Sequence, residues 1–191
     1  AELHDVLMSA RMLPFETVVP RLRRVVRQAA LETHKQVRLE VEGTHGEMDR
    51  NVLDRMVAPL EHMLRNSVAH GIETPDRRQA AGKAPEGVIS LQLRREGAEI
   101  VLEVSDDGAG LDREAIRRRA ELRGLVSAGA ELADKELDAL IFASGFSTVE
   151  QVSQLAGRGV GMDVVRNEAR QLGGSVDVSS EPGKGARFLL R

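Results

Sequence analysis

The 191-residue sequence contains no cysteine, no tryptophan and no tyrosine, and phenylalanine occurs only four times. Without cysteine there are no disulfides, thiolate zinc sites or cysteine nucleophiles, which fits a reducing compartment. Without Trp and Tyr the chain lacks the stacking platforms on which single-stranded nucleic acids are usually bound. A net charge of -3 arises from 27 basic and 30 acidic side chains. Such balance gives no overall field to hold a nucleic-acid backbone or an anionic membrane surface. No apolar run approaches the roughly 20 residues of a membrane span, and no signal-peptide pattern opens the chain. The expectation is a cytoplasmic domain. Its helix-like opening at Ala1 and strand-like end at Arg191 lead us to expect a piece of a longer protein.

With 41% hydrophobic and 30% charged residues, what is present suits one globular domain with room for an appendage. Residues 3–12 read as helix, interrupted by Pro14. From Phe15 to about His34 apolar residues recur at three-and-four spacing, predicting an amphipathic helix. Val37, Leu39 and Val41 alternate as a strand. Asp49 then caps a helix that Pro59 is expected to bend or restart and Gly71 to end in a left-handed turn. A loop rich in Pro, Gly and charge covers 74–87. A hairpin follows, 89–93 and 100–104, turning at Glu96 and Gly97. Further helices are expected at 112–123, 134–142 and around Val164 to Leu172, and a last strand pair across the turn 181–185. Helices and strands come in blocks. That order points to an α+β fold, a two-layer sandwich with a mixed, mostly antiparallel sheet and helices on one face.

Four groups of residues carry chemistry. His62, Asn66 and His70 lie four apart, a polar stripe on an otherwise apolar helix. It is either a solvated face or a site for a hard cation such as Mg²⁺, which takes oxygen donors. Zinc is the weaker reading, because about 12 Å of helical rise is too far for both histidines to bind one ion and no Cys helps. Asp106, Asp107, Gly108, Ala109 and Gly110 end a strand. There a carboxylate can accept from an exocyclic amine beside bare backbone, as adenine requires, or the group is a plain turn. Gly157, Arg158, Gly159, Val160 and Gly161 open a helix and so form an anion site. A dinucleotide fold does not fit, because the spacing is not Gly-x-Gly-x-x-Gly and no strand precedes it. Between these groups, 144–161 is glycine-punctuated and able to close as a lid, with Phe142 and Phe146 at its base or simply in the core.

In that order the four groups resemble the ATP-binding fold shared by histidine kinases, DNA gyrase, Hsp90 and MutL, the Bergerat fold. The stretches HMLRNSVAHGIE, DDGAGLD, IFASGFSTVEQVSQLAGRGVGMDVV and LGGSVDVSSEPGKGARF are similar to the CheA family of chemotaxis histidine kinases. The resemblance covers nearly the whole chain. It implies an N-terminal helical segment (1–34) continuing a dimerisation region, then an ATP-binding catalytic domain (35–191). It implies ATP and Mg²⁺ as ligands, with Asn66 on the metal, His62 beside metal and γ-phosphate, and His70 on the phosphate side. Asp106 would take the adenine amine, Gly108 and Gly110 would give the base room, and Gly157, Gly159, Val160 and Gly161 would wrap the phosphates. Arg158 stands beside that loop, adding charge or merely solvated. Ser147 and Thr148 of the lid join the nucleotide contacts.

The implied reaction moves the γ-phosphoryl to a histidine on a separate phosphoacceptor domain. Response regulators would be served through that domain, and a coupling protein and receptors through regions outside this chain. A homodimeric parent and a monomeric fragment are expected. His62 stands where ATP-hydrolysing relatives place a Glu, so hydrolysis without acceptor should be slow. Glu61 is turned about 100° off that face. The rivals are an ATPase clamp and a non-catalytic nucleotide-binding module. In two places the chain departs from the family: Ala69 where an acid is common, and Ala186 where Thr is common. His4 has no phosphoacceptor surroundings.

Overall fold

In the computed structural model, residues 11–146 and 161–191 are described. The chain enters as a short strand, β1 (Met12–Pro14), antiparallel to β3 (Glu47–Asp49). Helix was expected to reach Met12. Pro14 cannot donate into a helix, and the segment instead finds a partner strand some 35 residues on, which periodicity cannot foresee.

Phe15–Val18 form one 3₁₀ turn and α1 (Val19–Thr33) follows, with Pro20 in its first turn. Its buried stripe of Leu22, Val25, Val26, Ala29 and Ala30 is the predicted one. His34 ends α1 in the left-handed region at φ 55°, a conformation that costs a residue with Cβ and suits glycine. His34→Gly is therefore expected to raise stability by up to about 1 kcal/mol, read as a higher denaturant midpoint at unchanged slope.

After β2 (Val37–Glu42), Asp49 caps α2 (Arg50–Asn66) as expected, its carboxylate accepting from Asn51 N at 2.8 Å. Pro59 neither ends nor restarts this helix. Leu53, Met56, Val57, Leu60, Met63 and Leu64 are all buried around it, and their packing carries the helix past the missing N–H. The final turn widens to π geometry over Ser67–Gly71. Gly71 is not left-handed, so the reason for glycine there lies elsewhere. Within the expected loop the structure has a further short helix, α3 (Pro75–Ala80), opened by Pro75.

β4 (Gly87–Glu96) and β5 (Glu99–Asp106) make the predicted hairpin, turning through Gly97 at φ 62°. α4 (Arg113–Leu122), α5 (Asp134–Ala139), a 3₁₀ turn at Leu140–Phe142 and α6 (Met162–Gln171) precede β6 (Val176–Glu181) and β7 (Gly185–Leu190). The five-stranded sheet runs β2-β4-β5-β7-β6. Only β2 and β4 are parallel, so the sheet is mixed and mostly antiparallel as expected.

Along β4 alternate residues, Gly87, Ile89, Leu91 and Leu93, are buried, the signature of one covered face. They join α1, α2 and α6 in one core that includes Leu22, Leu60, Met63, Leu64 and Val165. α4 is tied to the far side of the sheet by Arg113, which donates to both oxygens of buried Asp138 (2.9 and 3.0 Å) and to Ser180 O (2.9 Å). A cleft is left between α2, α4 and the ends of β5 and β7. Among the described residues, no helix is long and apolar enough to cross a membrane.

Candidate functional site

Asp106, the last residue of β5, lies at the floor of that cleft, and glycines crowd it. A Cβ on Gly71 would stand 3.0 Å from Asp106 Oδ2, and one on Gly185 would stand 1.8 Å from the Asp106 carbonyl oxygen. Closeness to Asp106 is thus what Gly71 provides. The carboxylate accepts from Gly108 N at 3.0 Å and from the backbone of Ala186. Burial nevertheless dominates and pushes its pKa up from 3.8 to about 6, with only partial relief from those two N–H groups.

Gly108 was expected to make room for a base, but it does not line the cavity. Its bare Cα admits the protein's own backbone: a Cβ there would fall 2.0 Å from Gly71 O, which already accepts from Ala109 N at 2.9 Å. Gly108→Ala must therefore separate β5 from the turn after α2. The expected cost is at least about 3 kcal/mol, a fall in Tm of roughly 10 °C, checked by thermal unfolding. Gly110 does line the cavity, and it is held at φ 83° against Ser180.

The cavity has a volume of about 350 Å³, within the usual range for small-molecule sites. Its walls are mainly apolar, from Leu111, Ile116, Ile141, Phe146, Met162 and Phe188. Asn66, Ser67, His70, Asp106, Asp112 and Arg119 are the polar points on them. Phe142 and Phe188 meet edge to face at 6.3 Å, so Phe142 belongs to the core beneath the cavity, while Phe146 is on its wall. The Arg119 guanidinium lies 5.3 Å from the centre of the Phe146 ring, a cation–π arrangement.

Opposite Asp106, at the end of α2, Asn66 places its amide nitrogen 3.2 Å from His62 Nε2. Burial, then the charge of Arg65, pushes the His62 pKa down to about 4, so the ring is neutral at physiological pH. With the ring proton on Nδ1, which is itself buried without a partner among the described residues, Nε2 accepts from the Asn66 amide and leaves Oδ1 over. Asn66 Oδ1 is buried and has no hydrogen-bond partner among the described residues. Such an oxygen costs about 1–3 kcal/mol unless something else supplies a positive partner. On a cavity wall, that is what a hard cation such as Mg²⁺ would offer.

His62 was expected at the metal itself. It sits instead behind Asn66, outside the cavity lining, only 4% exposed. One turn earlier on the same face of α2, it is near enough to Asp163 of α6 to feel that charge. His70 does reach the cavity, from the π turn, whose carbonyls at Val68 and Ala69 accept from Lys35 Nζ at 2.7 and 3.0 Å. Its pKa is lowered by surrounding protein first, then by the charges of Lys35 and Arg119. Gly161 is buried at the start of α6, and its neighbour Met162 is on the cavity wall. Ser147, Thr148, Gly157, Arg158, Gly159 and Val160 lie outside the described residues. Glu61 faces away, 2.5 Å from Arg21 Nε on α1.

Sequence reasoning missed Arg119, Met162 and Phe188. Arg119 ends a run of three arginines, and only the phase of α4 tells which of them turns inward. Ala186 was noticed only as a departure. Its backbone N–H on Asp106, a contribution independent of side-chain type, is the useful part.

The sequence matches the histidine kinase-, DNA gyrase B-, and HSP90-like ATPase family over residues 56–191. The chain belongs to this family. The match takes in Asn66, Asp106 and the whole cavity wall. The chain is 47% identical over 189 residues to the chemotaxis protein CheA of Rhizobium meliloti, covering 99% of this chain and 25% of the relative. To CheA of Bacillus subtilis it is 42% identical over 192 residues, covering 100% of this chain and 29% of the relative. It thus spans between a quarter and a third of the length of these two relatives. Among solved structures, the catalytic domain of histidine kinase ThkA superimposes with a TM-score of 0.58 at 14% identity, covering 94% of this chain and 91% of that one. The histidine kinase domain of the Erythrobacter litoralis EL346 blue-light activated kinase gives 0.53 at 14% identity, covering 93% and 64%. The α+β sandwich is therefore that of histidine kinase catalytic domains.

Proposed function

We propose that this domain binds ATP with Mg²⁺ and passes the γ-phosphoryl to a histidine on a separate phosphoacceptor domain. It would be the catalytic unit of a chemotaxis-type signalling kinase. The observation that carries the reading is the pairing, across one apolar cavity, of a raised-pKa carboxylate at Asp106 with an unpartnered buried oxygen at Asn66. The first suits the amine of adenine. The second fits a magnesium ion, which when bound would neutralise phosphate oxygens.

The chain's own residues would then do the following. Asp106 accepts from the 6-amino group while Gly108 N–H and Ala186 N–H hold the carboxylate still. Leu111, Ile116, Ile141 and Phe188 sandwich the base and keep water from it. His62 fixes the Asn66 amide, and Asn66 Oδ1 holds the cation. His70 and Arg119 face the phosphate side, and Gly161 heads a helix N-terminus suited to anions. Ser147, Thr148, Gly157, Arg158, Gly159 and Val160 are proposed to complete the phosphate contacts.

In the transfer, the bond between the γ-phosphorus and the bridging oxygen breaks and a nitrogen–phosphorus bond forms to a neutral imidazole. ADP leaves, and the imidazole proton passes to solvent. An imidazole needs no strong base, only position and neutralised charge. Glu61, the carboxylate next to His62 in sequence, is paired with Arg21, which supports transfer over hydrolysis. The parent is proposed to be cytoplasmic and dimeric, reaching response regulators through the phosphoacceptor domain and receptors through a coupling protein. The test is label transfer from γ-labelled ATP to the separately expressed phosphoacceptor domain. Acid-labile, base-stable label on that domain supports the reading. Release of inorganic phosphate alone would replace it with an ATPase.

A further inference from the structure

The charged stretch between α2 and β4 has no place in the site just described, yet it contains a buried arginine with four hydrogen bonds. Arg78 of α3 is 2% exposed. It donates to Ala84 O (2.6 Å), Glu73 Oε1 (2.9 Å), Asp107 Oδ2 (3.1 Å) and Asp107 O (3.2 Å). Lys83 Nζ donates to Glu73 Oε2 (2.7 Å), Asp107 O (2.9 Å) and Gly108 O (2.9 Å). Asp107 Oδ1 in turn accepts from Val88 N at 2.9 Å. Two cations and two carboxylates close on each other, so the cluster adds little net charge to its surroundings. Asp107 and Glu73 still push the Asp106 pKa up by their charge, after burial, while the direct bonds of the cluster act by orientation.

What it orients is the peptide unit joining Asp107 to Gly108. The carbonyl of that unit is held by Lys83 and Arg78, and its N–H is the one that donates to Asp106 Oδ1 at 3.0 Å. Cations on the carbonyl end polarise the N–H end, strengthening the bond to Asp106. The geometry points to Glu73, Arg78 and Lys83 as a clamp that sets the orientation of the Asp106 carboxylate and thereby the selectivity for a 6-amino purine. These three are positioning residues that do not touch the nucleotide. The inference rests on the reading of Asp106 as the adenine acceptor.

The test compares binding of ATP with binding of purine riboside triphosphate, which carries hydrogen in place of the 6-amino group. Both titrations use the wild-type chain, Lys83→Met and Glu73→Gln, each variant first shown by thermal melting to be folded. The wild type is expected to prefer ATP by at least ~10-fold. In Lys83→Met the preference should collapse to less than ~3-fold, because ATP affinity falls while affinity for the amine-free analogue stays within a factor of about three of wild type. Glu73→Gln should shift the ratio in the same direction. A merely structural role would weaken both nucleotides alike, so a variant that keeps the wild-type preference overturns the clamp. A wild type with no preference would instead overturn the Asp106 reading on which it rests.

Discussion

Replacing Asp106 with Asn is expected to make the empty domain more stable and, at the same time, to remove most of its affinity for ATP. Burial raises the folded carboxyl to about 6, against 3.8 when it is exposed to solvent in the unfolded chain. Between those values the folded state holds a proton that the unfolded chain has released. The stability associated with that proton is fully present below pH ~4 and is lost as pH rises through about 6. Above pH 7 the empty domain thus bears the whole cost of a buried carboxylate, at most about 3 kcal/mol.

Asn carries no charge and escapes that cost, so its Tm should exceed that of wild type by several degrees at pH 8, with the gap closing towards pH 4. Calorimetric titration should show ATP affinity reduced at least ~30-fold, since an Asn amide offers a weaker acceptor than a carboxylate and leaves the amine of adenine poorly matched. For the wild type, ATP affinity should decline as pH falls through about 6. A variant both less stable and fully able to bind would refute the role given to Asp106.

The second large effect concerns Asn66→Asp. Here the amide nitrogen that meets His62 Nε2 at 3.2 Å is replaced by a second acceptor. His62, neutral because its pKa is pushed down to about 4, would have to switch tautomer or gain a proton to meet it. The new carboxylate would also set a negative charge beside the triphosphate. Phosphotransfer is expected to fall by at least ~1,000-fold. Metal-free ATP binding should change by less than about tenfold, because the adenine end of the cavity is untouched. Transfer assays and titrations in chelator check the two halves separately. Equal loss in both would place Asn66 in general packing.

Much of this arrangement was legible in the sequence, and its limits have physical causes. The hairpin, the Asp49 cap, the α1 stripe and the DDGAG group at a strand end are local patterns, each set by residues within a few positions of one another. So was the α+β class. The β1–β3 pairing, the π turn and α3 were not foreseen, because each is decided by distant partners. Gly71 and Gly108 show the same divide. Both stood out as glycines, yet what they make room for, the Asp106 carboxylate at Gly71 and the Gly71 backbone at Gly108, exists only once β5 meets the end of α2. His62 was correctly placed on the face of Asn66. The sequence could not say that the ring stands behind the amide.

That one cavity takes adenine at Asp106 and a metal-bound triphosphate at Asn66, as proposed, is tested most directly by a structure of this chain with a non-hydrolysable ATP analogue and magnesium. The expected result is the 6-amino group hydrogen-bonded to Asp106, Asn66 Oδ1 on the metal, and His62 still bonded to the Asn66 amide. A nucleotide seated elsewhere, or a base in this cavity whose amine faces away from Asp106, would contradict it.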